Sequence, residues 1–535
     1  MSRTRIVGGK ITEIVHGDYT IYSEGDIIYN SAKAVTFEGK EGIVYGDFNA
    51  DAMPAPHREA ISTAVVFFSP LKHWEGEYGF DWMRNNLYPF TVDSAYTEVA
   101  DKPNSTIIEG GYGGLTGGVN GSAIEELRKE FKSYPINIKD FPDTAYYVPY
   151  LTLFPKDYVD KMDNTKYTTL PKYQVTLQTF VFIEEDIDKF VFKHNQTEII
   201  GKYKGITIQG TISDGKKTLL DEKGKLKKGG TITITCEKAL TETLEISVYA
   251  HFKNSAKRRL AGKFIILRND ETMIRKEKVM LIPVKTKIMS ITEDGKIERT
   301  DRCVMNLLKS CYQTLIIPEI TMSKELFGED KGILNLKDDA DFNLYGFHGC
   351  GIYVNEGKRK IKENWLEKDL EGNVINTLMG VLKTKFFNQV ENLIDKEEYN
   401  SYTTVFFLNT ETSSPENIAG TDYESINGNK VFHKSICIFK NIDEIALAHE
   451  FFHVLGLFHT HKDTEDTKEG KIVYPPNKKY VFAPNYTTNL MSYSINKKIN
   501  ENIIIMYPPC YSTWCWQWAI VNPAIKIEIE NEKKR

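Results

Sequence analysis

The segment 441–461, NIDEIALAHEFFHVLGLFHTH, contains the residue types of a hydrolytic metal site. His449 and His453 are four residues apart, a spacing that puts both imidazoles on one face of an α-helix, where they can share a Zn²⁺ ion. Glu450 lies about 100° around such a helix, and from there its carboxylate can reach a water on the metal without itself binding the metal. The segment therefore predicts two zinc ligands and a general base.

The residues after this helix predict a third ligand. Gly456 favours a sharp helix exit, because glycine readily takes a positive φ, and the chain can then return His459 toward the metal. Three neutral imidazoles leave one coordination position open for water, which is typical of catalytic rather than structural zinc. The alternative is a buried helix with incidental histidines, but three imidazoles without partners would be costly to bury.

The neighbouring sequence predicts the elements that position these histidines. Asn441, with Glu444 three residues later, is a plausible capping pair for the start of the histidine helix. Helical periodicity covers 373–394, and strand-like runs cover 402–409 and 430–440. This mixture of helices and strands predicts an α+β domain around the site.

The motif HEFFHVLGLFH resembles the zinc signature of the metzincin metallopeptidases, HExxHxxGxxH. That resemblance implies a methionine-containing turn downstream, and TTNLMSYS supplies one, with Met491 and Tyr493. It implies that Met491 forms an apolar floor under the zinc and that 430–440 is the edge strand that binds extended substrate. Tyr493 is either an oxyanion donor or displaceable ligand, or a residue that packs beneath the turn.

Within the metzincins, the chain looks most similar to the pappalysin-type branch. This likeness rests on IAGTDY (418–423) and on the Leu-Met-Ser-Tyr turn. The loop 462–486 departs from that branch because it lacks the cysteines that often staple it. His461 follows the third ligand closely and is predicted to be a bystander, since His459 has the required spacing.

These residues together predict a zinc endopeptidase that acts on protein or peptide substrates. Zinc lowers the pKa of a bound water toward about 7 and polarises the scissile carbonyl. Glu450 would take the proton from the attacking water and return it to the leaving amine.

Two further groups of residues have open interpretations. Asp463, Glu465 and Asp466 form an acidic loop that offers ligands for a Ca²⁺ ion, or is simply a solvated turn. Cys510 and Cys515 are the closest cysteine pair and form either a disulfide bond or two thiols.

Composition limits the other function classes. The 535 residues suggest about three to four domains. With 68 Lys and Arg against 73 Asp and Glu, the net charge of -5 argues against general nucleic-acid binding. No run approaches 18 apolar residues, which argues against a membrane span, and seven cysteines are too few for a disulfide scaffold.

The fold class predicted for the whole chain is multidomain. We expect a β-rich N-terminal carrier or delivery domain at 1–165 and an antiparallel, Ig-like β-sandwich at 166–285. The metzincin-like α+β peptidase domain would follow at 286–535.

The N-terminal residues lack the apolar core of a Sec signal peptide, so the chain is expected to be cytoplasmic or exported by a leaderless route. The stretches 6–37 and 69–84 are similar to N-terminal regions of Bacteroidetes multidomain proteins, including type VI secretion-linked effectors. This resemblance implies an exported effector whose N-terminal region binds components of a secretion apparatus. The alternatives are an adaptor of such an apparatus with a vestigial zinc domain, and a cytoplasmic peptidase with accessory β-domains.

Overall fold

The computed structural model describes most of the chain from Ala60 onward. The described ranges are 60–84, 108–111, 120–141, 144–195, 197–253, 258–288, 291–339, short strands between 345 and 376, 378–409, 419–426, 429–439, 444–461, 467–468, 471–472, 478–482, 487–492, 497–500, 503–505 and 510–534. The chain is multidomain and rich in β-structure, which confirms the coarse prediction of fold class.

Two sheets in the first half of the described chain pack against each other. Alternation of side chains builds them: in Lys227–Cys236, Ile232 and Ile234 are fully buried, while the alternating Thr231, Thr233 and Thr235 are more exposed. Phe68 of the first sheet meets Phe264 of the second edge to face at 5.0 Å. The first sheet has the order Ala64–Pro70, Gln174–Ile183, Lys227–Cys236, Ile206–Gly210, Lys202–Tyr203; the second has the order Phe80–Asp81, Tyr150–Leu151, Arg258–Ile266, Leu244–Phe252, Ile187–His194, Thr197–Glu198.

A third sheet lies in the second half of the chain. Its order is Ile291–Asp294, Arg275–Ile288, Thr403–Phe407, Asn429–Ile438, Ala419–Ile426, and Ile316–Met322 and Leu334–Asn335 also pair with Arg275–Ile288. Ile316–Met322, Arg275–Ile288, Thr403–Phe407 and Asn429–Ile438 run parallel, whereas Ala419–Ile426 is antiparallel to its neighbour. The strand at 430–440 was predicted to be an edge strand, but the structure puts it between two others. Ala419–Ile426 is the outermost strand on that side among the described residues.

Both faces of the third sheet are covered, which explains the nearly continuous apolar run VMLIPV in its longest strand. Val279 and Leu281 point into the larger core, which the histidine helix also joins. Met280 and Ile282 point into a second core, which includes Phe386 of the helix Leu378–Val390. The sheet is therefore a rigid platform with the histidine helix on one face.

One of the two predicted domain boundaries, between residues 285 and 286, falls inside a strand. Strands that precede residue 166, such as Ala64–Pro70, pair within the two packed sheets, and Arg275–Ile288 crosses residue 286 as the longest strand of the third sheet. The stretch 69–84 is part of the same core. Residues 1–59, which include the other stretch predicted to serve export, lie outside the described residues, and the export route stays a prediction.

The remaining elements are short. The small strand groups are Tyr345–His348 with Gly351–Val354 and Lys360–Ile361; Glu367–Lys368 with Val374–Asn376; Thr467–Lys468 with Lys471–Ile472; Ile108–Gly111 with Tyr480–Phe482; Lys497–Asn500 with Ile503–Ile505; and Ser133–Pro135 with Ala145–Tyr147. The helices are Asn120–Arg128, Lys156–Val159, Arg302–Tyr312, Ser323–Lys331, Leu378–Val390, Lys396–Ser401, Ala446–Val454, Cys515–Val521 and Pro523–Lys534. Within the described part of the chain, none of the helices combines the length and the apolar character needed to cross a membrane.

A largely buried charge cluster in the packed sheets gives the fold a specific acid sensitivity. Glu245 pairs with Lys263 and Lys132 and accepts a hydrogen bond from the Tyr134 hydroxyl at 2.8 Å. Burial alone would raise the pKa of this carboxyl, but the two ammonium groups lower it from 4.5 to about 2.

Because the folded-state pKa of Glu245 is lowered, its contribution to stability is complete above pH 4.5 and is lost as pH falls toward 2. Between pH 5 and pH 2, the wild type is expected to lose about 3 kcal/mol more unfolding free energy than Glu245→Gln. Urea unfolding at a series of pH values measures this difference. The exposed Glu242, which pairs with Lys204, is the matched control, and Glu242→Gln should follow the wild type. If the unfolding free energies of the wild type and Glu245→Gln change in parallel with pH, the lowered pKa of Glu245 does not contribute to stability.

Candidate metal centre

The site helix, Ala446–Val454, is held against the third sheet by its apolar residues. Leu447, Phe451 and Phe452 are fully buried in the larger core, so the opposite face, with the histidines, is turned away from it. The helix begins at Ala446, whereas the sequence predicted a start at Asn441, which lies outside the described residues. Glu444 precedes the helix and pairs with Arg302 at 2.7 Å rather than capping it.

The helix and its exit turn bring His449, His453 and His459 together. The Nε2 atom of His453 lies 3.2 Å from that of His449 and 3.0 Å from that of His459. The third pair, His459 and His449, is separated by 3.1 Å. His449 and His453 are buried and His459 is partly buried, so the three ring nitrogens converge on one shielded point.

Backbone carbonyls fix the orientation of two of these rings. The Nδ1 atom of His449 lies 2.8 Å from the carbonyl oxygen of Leu490, and that of His453 lies 2.7 Å from the carbonyl oxygen of Leu457. A carbonyl oxygen only accepts, so each Nδ1 must carry the proton and donate it. Each Nε2 then keeps its lone pair, which is the tautomer that binds a metal.

This arrangement fits a metal ion better than it fits a set of hydrogen bonds. Lone pairs on nitrogens about 3 Å apart repel one another unless a cation lies between them. Among the described residues, these three histidines form the one group of ligand side chains close enough to hold an ion. Imidazole nitrogen suits zinc, copper, iron or nickel.

The helix exit depends on Gly456. Its φ is +99°, a conformation that residues with a side chain rarely adopt, and its amide donates to the His453 carbonyl at 2.8 Å. Three residues later the chain delivers His459 to the cluster. The turn thus sets the position of the third histidine.

Substituting Gly456 with alanine is expected to cost about 1–2 kcal/mol in unfolding free energy, because the left-handed backbone strains a Cβ. It should also weaken zinc binding, since His459 is displaced. Gly224 is the matched control: it too has a positive φ, +72°, and space for a Cβ, but it lies in an exposed turn before the strand Lys227–Cys236. Chelator competition and urea unfolding compare the two. Equal zinc affinity in Gly456→Ala and Gly224→Ala would show that the turn does not position His459.

The methionine turn, residues 487–492, lies beside the site helix. Met491 is fully buried, and its carbonyl accepts a hydrogen bond from the Thr460 amide at 2.9 Å, next to His459. Leu490 supplies the carbonyl that holds His449. The sequence pointed to Met491 but not to the Leu490 carbonyl, because a backbone acceptor has no signature in residue type.

Aromatic rings surround the cluster. Phe432, from the strand Asn429–Ile438, stacks on His453 with ring centroids 5.1 Å apart, and Phe458 lies 5.5 Å from Phe432. On the other side, His461 stacks on His459 at 4.7 Å. His461 is buried beside His459 but does not belong to the group of three converging ligand side chains, as expected of a residue that is not a ligand. These rings lower the polarity around the three nitrogens.

The other predicted site residues have different outcomes. Glu450 follows His449 on the site helix and is partly buried. Tyr493 and the acidic loop with Asp463, Glu465 and Asp466 lie outside the described residues, so the Tyr493 role and the Ca²⁺ site stay predictions. Cys510 and Cys515 are buried and are not joined by a disulfide bond, in agreement with the thiol alternative.

Comparisons with known proteins give no family assignment. No protein-family model matches the chain, and no curated protein matches it. Among solved structures, the chain is similar to a family 123 glycoside hydrolase from Clostridium perfringens, with 8% identity and a TM-score of 0.14. That match covers 49% of this chain and 46% of the hydrolase chain, so it spans less than half of the latter. A TM-score this low does not indicate a shared fold, and the interpretation of the site rests on the chain's own residues.

Proposed function

We propose that this protein is a zinc-dependent endopeptidase of the metzincin type. The observation that carries the proposal is the convergence of three histidine Nε2 atoms within 3.2 Å of one another. Two of these histidines lie on the site helix, which also bears Glu450, and the third lies just after its exit turn. Three imidazoles with an open fourth position are typical of catalytic zinc sites. The buried methionine turn beside the helix supports the same family.

Bound zinc would supply a Lewis acid for the scissile carbonyl and lower the pKa of a coordinated water to about 7. His449, His453 and His459 would hold the ion, and the carbonyls of Leu490 and Leu457 keep two of these rings in the binding tautomer. Glu450 would accept the proton of the attacking water as the new C–O bond forms. It would then pass the proton to the leaving nitrogen as the C–N bond breaks.

The outermost strand of the third sheet offers an edge to which a peptide substrate could bind. Ala419–Ile426 is antiparallel to Asn429–Ile438 and has no partner strand on its other side among the described residues. An extended peptide can add to such an edge through main-chain hydrogen bonds. The site helix packs on both of these strands, so a peptide at this edge would run past the histidine cluster.

Zinc-dependent cleavage of an unfolded protein tests the proposal. The whole chain, loaded with zinc, is incubated with a reduced and denatured protein, and new α-amino groups are measured. A chelator should stop the reaction and added zinc should restore it. A chain that binds zinc but releases no amino termini would favour the adaptor alternative.

A further inference from the structure

We propose that Gln517, on the helix Cys515–Val521, is a positioning residue for the metal centre. It acts through Asn489 on the Leu490 carbonyl, which orients His449. This inference rests on the metal site of the proposed function. It adds that the C-terminal segment, residues 511–518, is required for metal affinity.

The side-chain amides of Asn489 and Gln517 form a reciprocal hydrogen-bonded pair. The Asn489 Nδ2 donates to the Gln517 Oε1 at 2.8 Å, and the Gln517 Nε2 donates to the Asn489 Oδ1 at 3.1 Å. Both side chains are fully buried. Two hydrogen bonds between buried amides hold each group in one orientation, because a flip of either amide would bring two donors or two acceptors together.

The Asn489 and Gln517 side-chain oxygens each also accept a hydrogen bond from a backbone amide. The Asn489 Oδ1 accepts the amide of Met491 at 2.9 Å, and the Gln517 Oε1 accepts the amide of Trp514 at 2.9 Å. The pair therefore links the methionine turn to the C-terminal segment. Removing either side chain would leave two or more buried polar groups without partners, which is costly.

The backbone of Leu490 connects the amide pair to His449. Leu490 lies between Asn489 and Met491, and its amide donates to the Ser512 carbonyl at 2.7 Å. The peptide on each side of Leu490 is thus fixed to the C-terminal segment or to the amide pair. Its carbonyl is held where it accepts from the His449 Nδ1 at 2.8 Å. Such outer partners of a metal ligand set its ring orientation and its basicity.

Hydrogen bonds with Gln313 and Asp81 hold the C-terminal segment in place. The Gln313 side chain, at the end of the helix Arg302–Tyr312, donates to the Tyr511 carbonyl and accepts the Thr513 amide, each at 2.8 Å. Asp81, from the second sheet, accepts the Cys515 amide at 2.9 Å. The orientation of His449 is therefore supported by parts of the chain hundreds of residues apart.

Zinc affinity of Gln517→Met tests the proposal, since methionine keeps the side-chain length but removes both amide contacts. Competition with a chromophoric chelator should show a 10- to 100-fold weaker affinity for Zn²⁺ alone, the usual effect of losing an outer partner. The visible spectrum of bound Co²⁺ should also change, because the His449 ring is no longer fixed. Gln178→Met is the matched control: Gln178 is a buried glutamine in the packed sheets that donates to the Gly229 and Gly230 carbonyls. It should lose stability but keep wild-type zinc affinity.

Asn489→Leu removes the same contacts from the side of the turn and serves where Gln517→Met does not fold. A folded variant of either kind with wild-type zinc affinity and an unchanged Co²⁺ spectrum would overturn the proposal while leaving the proposed function intact. If the wild type itself binds no zinc, the proposed function fails and this inference fails with it.

Discussion

Replacing His453 with alanine is expected to abolish stoichiometric zinc binding and to lower kcat/KM for peptide hydrolysis on the order of 10³-fold or more. His453 is one of the three proposed ligands, and its Nε2 lies 3.2 Å and 3.0 Å from those of His449 and His459. Its loss leaves two nitrogens, too few to hold an ion that must also activate water. Metal analysis of the purified variant, together with hydrolysis of a denatured protein, measures both effects.

The exposed His73, in the loop after Ala64–Pro70, is the matched control for this substitution. His73→Ala should keep one zinc per chain and wild-type hydrolysis. Wild-type zinc content in His453→Ala would mean that the ion binds elsewhere, and the assignment of the metal centre would be wrong.

Glu450→Ala is expected to keep zinc but to lose hydrolysis by about 10²- to 10⁴-fold, the usual contribution of a general base. The side chain follows a ligand on the site helix, yet it does not belong to the group of atoms that converge on the metal. The protein should therefore fold and bind metal normally. Kinetics on a fluorogenic peptide library, with zinc content measured in parallel, separate the two effects.

Glu444→Ala is the control, because Glu444 is an exposed glutamate just before the same helix. It should hydrolyse peptide at the wild-type rate. Hydrolysis by Glu450→Ala at the wild-type rate would exclude the proposed proton transfer. A zinc-binding adaptor, in contrast, would show no hydrolysis in any variant.

The histidine cluster could be predicted because its geometry is local. The spacing of four residues from His449 to His453 fixes their common face on a helix, and Gly456 permits the turn that returns His459. The spacing of residues within 11 positions therefore carries the essential information. Met491, 32 residues after His459, is not part of this local pattern; the methionine turn was expected only from the resemblance to the metzincins.

The contacts that orient the cluster could not be predicted because they are non-local. Gln517 and Asn489 are 28 residues apart, and nothing in either local sequence indicates the other. The same holds for the sheet: Asn429–Ile438 was expected at an edge, but the chain before it, Ala419–Ile426, folds back and covers that side. A domain boundary at 286 likewise divides a strand whose pairing partners lie up to 124 residues downstream, as Val279 and Thr403 do.

We propose that a zinc ion at the three-histidine centre makes this chain a peptidase. A zinc titration of the metal-free chain tests this proposal, with new α-amino groups from a denatured protein counted at each zinc-to-chain ratio. We expect hydrolysis to be absent without metal, to rise with added zinc and to reach its plateau at one equivalent. Hydrolysis that is independent of zinc, or a chain that binds one equivalent and releases no amino termini, would contradict it.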